Sequence, residues 1–352
     1  MQMPGIEQKL RIQLFKAEDQ ERWSDFVNKS NESTCYHNIG WKNVIEKSFG
    51  HKTNYYLCED QQKNITGILP IAHLKSILFG NFMVSLPYFT YGGICAMDSE
   101  TSRRLLEQAI QLGKIENVEH IELRETRLLN NGLAVKSTKV SMRLVLPSGS
   151  DQLWKSFSSR LRNKIKRPEK EQMHVRIGKS EELESFYKVF SINMRDLGTP
   201  VYTKNFFKNI LEEFPDSTWI CTVYREKEPI ASGMLVGFKD TVEIPWVSSR
   251  RHYNRYYPNF LLYWTALKFA CDHGYKVFDF GRSSPGGGTY QFKGQWGAKP
   301  VQLYWHYWME NGGSLPELNP NNPKYRAAIQ IWKRLPVGLT RMIGPAIVKN
   351  LP

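Results

Sequence analysis

The residues best equipped for chemistry lie at 278–298. The run Phe278-Asp279-Phe280-Gly281-Arg282-Ser283-Ser284-Pro285-Gly286-Gly287-Gly288-Thr289-Tyr290-Gln291-Phe292-Lys293-Gly294-Gln295-Trp296-Gly297-Ala298 begins as an apolar strand and passes into a loop with three successive glycines. Residues without a Cβ let a backbone turn sharply or approach a ligand closely. Beyond the loop, Lys293 has aromatic and glycine neighbours and no acidic one. A lysine so placed can donate to a developing oxyanion or a phosphate, and its pKa falls if it is desolvated. An ordinary surface lysine on an aromatic-rich strand fits the same residues. Asp279 and Arg282, at the end of that strand, fit either a cleft or a structural ion pair.

Two other stretches carry charge in a pattern. Arg195 and Asp196 close a helical run before the turn residues Gly198 and Pro200 and then Tyr202. They could place a substrate, or Arg195 could simply match the C-terminal end of the helix dipole. Residues 155–176 hold Lys155, Arg160, Arg162, Lys164, Lys166, Arg167, Lys170 and Arg176 against Glu169 and Glu171. Such a cluster suits the phosphates of tRNA or a nucleotide, and equally a solvated helix between domains. The net charge of +14 favours polyanionic partners without choosing among nucleic acid, nucleotide-linked substrates and anionic membrane.

Several chemistries find no motif. The chain has no G-x-S-x-G elbow, Walker loop or H-E-x-x-H pair, and its five scattered cysteines form no C-x-x-C pair, so no zinc site or disulfide framework is expected. Residues 1–10 have no apolar leader core and no run approaches the ~20 apolar residues of a membrane span, so a cytoplasmic location is expected.

The elements that position these residues repeat. Residues 10–15 read as a strand, 18–27 and 40–49 as helices, 53–58, 65–73 and 82–86 as strands, 99–112 as a helix, and 118–123 and 138–146 as strands. After a basic helix ending near 167–168, the order recurs. A strand at 173–177 precedes helices at 181–194 and 204–214, then come strands at 219–224, 230–238 and 241–247, a helix at 259–273, and strands at 277–280 and 301–308. The order β-α-α-β-β-β-α-β-β, present twice, resembles the GCN5-related N-acyltransferase (GNAT) fold. It predicts an α/β (α+β) protein of two tandem domains, each a mixed, mainly antiparallel sheet flanked by helices. The expected bounds are 1–150 and 151–315, the second carrying the 278–298 loop. Residues 316–323 are expected as a linker into a basic amphipathic tail at 316–352, which docks on its own domain or on a membrane surface. Enzymes of the GNAT fold hold the CoA pyrophosphate with an [RQ]-x-x-G-x-[GA] turn. The corresponding residues 248–259 have four basic side chains and no glycine.

A closer resemblance rests on Lys75-Ser76-Ile77-Leu78-Phe79-Gly80, Ser85-Leu86-Pro87-Tyr88 with Tyr91-Gly92-Gly93, Arg162-Asn163-Lys164-Ile165, residues 193–200 and residues 278–298. In these the chain resembles the FemAB-like proteins, relatives of the Fem peptidyltransferases and BioF2-like acyltransferases, and is most similar to the group associated with exosortase and PEP-CTERM exopolysaccharide systems. The resemblance implies transfer of an acyl or aminoacyl group to an amine of a cell-envelope or exopolysaccharide precursor. It implies Lys293, after Phe292, as the catalytic lysine, with Arg282, Tyr290, Trp296, Arg195, Asp196, Tyr202, His37 and Trp41 binding substrate. No resident cofactor or metal is expected. The donor is left open among aminoacyl-tRNA, held by Arg160, Arg162, Lys164, Lys166 and Arg167, acyl-CoA and acyl-carrier protein. A non-catalytic basic module for RNA or anionic membrane, with residues 323–352 touching the inner face of the cytoplasmic membrane, is the alternative.

Overall fold

The computed structural model describes residues 10–310, 312, 315, 316 and 323–351. Residues 1–9 of the expected leaderless start and 317–322 of the expected linker lie outside the described residues. The chain forms two units, Met1–Ser137 with Leu303–Leu315 and Thr138–Gln302 with Pro316–Leu351.

The first unit contains strands β1 (Arg11–Leu14), β2 (Lys52–Glu59), β3 (Ile65–Ser76), β4 (Gly80–Val84), β5 (Cys95–Ala96), β6 (His120–Glu125) and β7 (Ala134–Lys136), with helices α1 (Gln20–Lys29), α2 (Gly40–Phe49) and α3 (Ser99–Ile115). The second contains β8 (Val140–Val145), α4 (Ser150–Ser156), α5 (Ser159–Lys170), β9 (Met173–Gly178), α6 (Leu183–Leu197), α7 (Lys204–Glu213), β10 (Thr218–Arg225), β11 (Glu228–Phe238), β12 (Thr241–Ser249), α8 (Pro258–Asp272), β13 (Val277–Ser283), α9 (Gly288–Gly294) and β14 (Lys299–Gln302). Strand β15 (Tyr304–Met309) and helices α10 (Pro323–Arg334) and α11 (Val337–Val348) follow.

The sheets run β1-β2-β3-β4-β6-β15-β7, with β5 on β3, and β14-β8-β13-β12-β11-β10-β9. Each has one parallel pair, β4 with β6 and β12 with β13, and is otherwise antiparallel. A parallel pair needs a crossover, and α3 and α8 supply it. Asp98 starts α3 by accepting from the Thr101 amide at 2.7 Å, and Leu105, Leu106 and Ala109 then pack on Leu69, Ile71 and Ile121. The second core gathers Phe260, Tyr263, Phe278, Phe280 and Trp296.

Three expectations change. The strand expected at 138–146, at the end of the first domain, is β8 of the second sheet, so a boundary at 150 falls inside the second unit. The single strand expected at 301–308 breaks at the buried Leu303: β14 pairs with β8, whereas β15 enters the first sheet between β6 and β7. Alternation shows that a segment is extended, but which sheet edge it joins depends on partners far away in sequence. Helix α5 continues through Pro168 to Lys170. The proline stands in the last turn, where its missing N–H removes a single bond.

Candidate active site

The parallel strands of each unit pair for three residues and then part. In the second unit the register is Thr241 with Val277, Val242 with Phe278 and Glu243 with Asp279. From there β12 stays with β11 as far as Ser249, while β13 follows β8 through Ser283 with an irregularity between Asp279 and Arg282. The base of this fork holds two buried carboxylates, Glu243 and Asp279. Asp279 takes hydrogen bonds from Ser141 Oγ, from Arg143 Nε at 2.9 Å and from the Gly281 amide at 2.7 Å. Of its two possible roles it therefore has the structural one: it fixes the turn at Gly281, whose φ of +75° suits a residue without Cβ.

Residues 288–294, expected as loop and strand, form helix α9. Gly286 reverses the chain at φ +76° and Gly287 is the N-cap. The helix carries Lys293 back to the fork, where its buried Nζ donates to Gly281 O at 2.9 Å and Arg282 O at 3.0 Å. Desolvation lowers its pKa to about 8, against the upward pull of Asp279 and Glu243. Arg282 is exposed and Tyr290 half-buried on the same strand–helix connection. Trp296, expected to bind substrate, lies instead in the core at 2% exposure, 5.6 Å from Phe157 and 5.8 Å from Phe260, because the turn after α9 directs its ring inward.

Helix α5 joins this site. Its apolar side, Leu161, Ile165 and Pro168, is buried, and Ser158 caps it. Lys164 donates to Gln295 Oε1 at 2.8 Å and lies 5.0 Å from the Phe260 ring centre, and Arg167 lies 4.9 Å from that of Tyr257. Tyr257 (φ +62°) leads into α8 at the place where the fold's glycine turn would stand. Arg225 and Arg255 flank the neighbouring Tyr256 at 5.0 and 4.7 Å. Cationic side chains therefore gather at the N-terminal end of α8. Arg162 is turned toward Phe157 O at 2.6 Å, Lys166 lies 5.7 Å from the Trp154 ring centre, and Arg160 is exposed.

The remaining expected residues serve elsewhere. Arg195 pairs with Asp196 at 2.7 Å and donates to Leu335 O at 3.0 Å, between the two C-terminal helices. The ring of Tyr202 lies 5.1 Å from Phe206, and its carbonyl accepts from Tyr187 Oη at 3.1 Å. His37 and Trp41 are buried in the first unit. His37 accepts from the Thr34 amide at 2.9 Å and its other ring nitrogen lies 3.1 Å from Gly93 O, while Trp41 donates to Cys35 O and stands 4.6 Å from Phe89.

Those two residues support a segment that fills the first unit's own fork. Strands β4 and β6 pair at Phe82 with His120, Met83 with Ile121 and Val84 with Glu122. Beyond them the chain at 85–94 is bound across the opening: Arg124 Nη1 donates to Phe89 O at 2.6 Å, Gly92 N to Arg124 O at 3.1 Å and Ile94 N to Glu125 Oε1 at 2.6 Å. A Cβ on Gly93 would stand 2.0 Å from that carboxylate oxygen, so only glycine fits. The sequence reading missed Glu122, Arg124, Glu125 and Glu243. The available signal was charge inside otherwise strand-like runs, His-Ile-Glu-Leu-Arg-Glu and Thr-Val-Glu-Ile.

Burial raises the Glu125 carboxyl to about 8. Between its ordinary pKa and this value the folded state holds a proton that the unfolded state has lost, so its stability contribution is complete at acid pH and is lost as pH rises through about 8. Glu125→Gln should therefore gain on the wild type as pH rises from 5 to 8, on the order of 1.4 kcal/mol for each step of one in pH, and plateau above. Paired thermal melts across that range check it; parallel curves would show that Glu125 does not titrate in this way.

Residues 155–294 match the family model described as Acetyltransferase (GNAT) domain, a segment that starts in α4 and ends with α9. Among solved structures the chain is similar to FemX, with a TM-score of 0.64 and 14% identity over 91% of this chain and 100% of that one. The chain has the Fem-like tandem GNAT fold. The matched segment contains the fork and Lys293. Similar too are a tandem GNAT protein from the clavulanic acid biosynthesis pathway, TM-score 0.57, 9% identity, 87% and 100% covered, and the C-terminal domain of a putative lysylphosphatidylglycerol synthetase from Agrobacterium fabrum, TM-score 0.56, 12% identity, 90% and 95% covered. No curated protein matches the sequence.

Proposed function

We propose that the second unit transfers an aminoacyl or other acyl group from an activated ester or thioester to an amine of a cell-envelope or exopolysaccharide precursor. The observation that carries this reading is a buried lysine ammonium at the mouth of the β12–β13 fork, in the segment that matches an acyltransferase family. The acceptor nitrogen attacks the carbonyl carbon, a C–N bond forms, the C–O or C–S bond breaks, and the proton lost by the amine ends on the leaving hydroxyl or thiol. The carbonyl oxygen becomes anionic on the way, and Lys293 is the cation that stabilises it. Exposed Arg282 and half-buried Tyr290 flank the entrance.

The donor favoured is aminoacyl-tRNA. Lys164, Arg167, Arg225 and Arg255 collect around the start of α8, and residues 248–259 have no glycine for close approach of a CoA pyrophosphate. The FemAB-like stretches favour an acceptor of the envelope or exopolysaccharide group, including its exosortase and PEP-CTERM branch. The match to an acetyltransferase model favours acyl-CoA as the second reading.

Thermal shift separates the donors, because a ligand that binds the native state stabilises it by about 2.7 kcal/mol at a hundredfold excess over Kd. A non-hydrolysable aminoacyl minihelix should raise Tm while acetyl-CoA does not. A shift with acetyl-CoA alone selects the second reading. Salt-sensitive RNA or liposome binding without transfer from any donor, and no unmodified amine precursor accumulating in cells that lack the protein, would leave only a binding module.

A further inference from the structure

Helix α11 is mounted with its small side inward. Thr340, Gly344 and Val348, spaced by four, are its buried residues and face the rest of the second unit. Gly344 comes so close that a Cβ would stand 2.9 Å from Val201 N, and Arg341 fixes the helix through Nε to Ser191 Oγ at 2.8 Å. The bulky apolar residues are left on the other side. Met342 is 71% and Leu339 38% exposed, Ala346 and Lys349 continue that face at helical spacing, and Ile343 and Ile347 flank it half-buried. On α10, Trp332 is buried whereas Ile331 is 63% exposed. A helix that docked only to complete its own core would turn these side chains inward.

The charge carried by these two helices is of one sign. Residues 323–351 contain Lys324, Arg326, Lys333, Arg334, Arg341 and Lys349 and no acid. Apolar side chains standing out among basic ones suit a surface with an anionic headgroup layer over hydrocarbon. No described helix is long and apolar enough to cross a membrane. We propose that α10 and α11 form a peripheral docking surface for an anionic bilayer, with Ile331, Leu339 and Met342 entering the interface and the exposed Arg334 bound to headgroups. This rests on the C-terminal helices and not on the transfer reaction.

The test is cosedimentation of the full chain with vesicles of phosphatidylcholine containing about one third phosphatidylglycerol, and with phosphatidylcholine alone. Strong binding to the anionic vesicles is expected, weakening about fivefold for R334Q. The double variant I331S/M342S should lower binding at least tenfold with an unchanged Tm; both side chains are exposed, so the fold does not depend on them. Failure to bind anionic vesicles, or equal binding by the double variant, overturns the proposal. A concentration-dependent dimer abolished by I331S/M342S would overturn it as well, by assigning the face to a second copy of the chain.

Discussion

Lys293→Met should lower the transfer rate by about a hundred- to a thousandfold, the loss that follows removal of one oxyanion donor, while the protein stays folded. The methionine fills a similar volume in the buried site. What it removes is the ammonium that holds Gly281 O and Arg282 O at the mouth of the fork. Activity is read as amide formed from the donor that the thermal shifts select, and folding from circular dichroism. If the charged form works, the rate falls as pH rises through about 8, the value to which burial lowers this lysine, and Lys293→Arg keeps the charge and loses that decline. A rate that rises through about 8 would instead make the neutral amine a general base. Stability gives an independent check. A lysine whose folded pKa is depressed contributes stability above its ordinary value near 10.5 and loses it as pH falls through about 8, so the methionine variant should lack the wild type's gain between those limits. Full activity of Lys293→Met would remove Lys293 from the chemistry.

Arg124→Leu should cost the first unit about 3–5 kcal/mol, as expected when one partner of a buried ion pair is removed. Arg124 is buried, its Nε lies 2.6 Å from Glu122 Oε1, and it also holds Phe89 O. Leucine removes that donor and the arginine partner of a buried carboxylate, which still accepts from Tyr307 Oη at 2.7 Å. The double variant Glu122→Gln with Arg124→Leu should recover part of the loss, because neighbouring sites are not additive. Two units need not melt together, so a calorimetric trace with an earlier first transition is the expected form. A wild-type melting profile for Arg124→Leu would show that the segment filling the first fork does not depend on this arginine.

The two forks are built alike and put to different use. Glu122 and Asp279 each stand at the third paired position of the later parallel strand, and each carboxylate is paired with an arginine, Arg124 and Arg143. In the first unit residues 85–94 occupy the opening; in the second the side chain that reaches it is Lys293. Neither outcome is visible in a window of sequence. The three glycines at 286–288 read as a loop of uncertain purpose, whereas in the fold Gly286 makes the left-handed turn and Gly287 caps the helix that carries Lys293.

Residues 193–202 show the same limit. Their charge and turn residues were legible, but their partners are the C-terminal helices: Leu335 bonds Arg195, a Cβ on Gly198 would meet Ile329, and Gly344 presses on Val201. Trp296 read as part of an aromatic site because it is near Lys293 in sequence, yet a single turn separates a residue at the fork from one in the core. The sequence by itself determined the repeated element order, the extent of most strands and helices and the basic helix near 160–170, and it singled out Lys293 for testing, since hydrophobic period, capping residues and glycine placement act over a few residues. Only the tertiary structure decided that β8 and β15 enter the second and first sheets, that Asp279 is bound structurally, and that Lys293 is buried with a lowered pKa. Each of those depends on groups brought together across tens to hundreds of residues, where pairing and desolvation are properties of the fold.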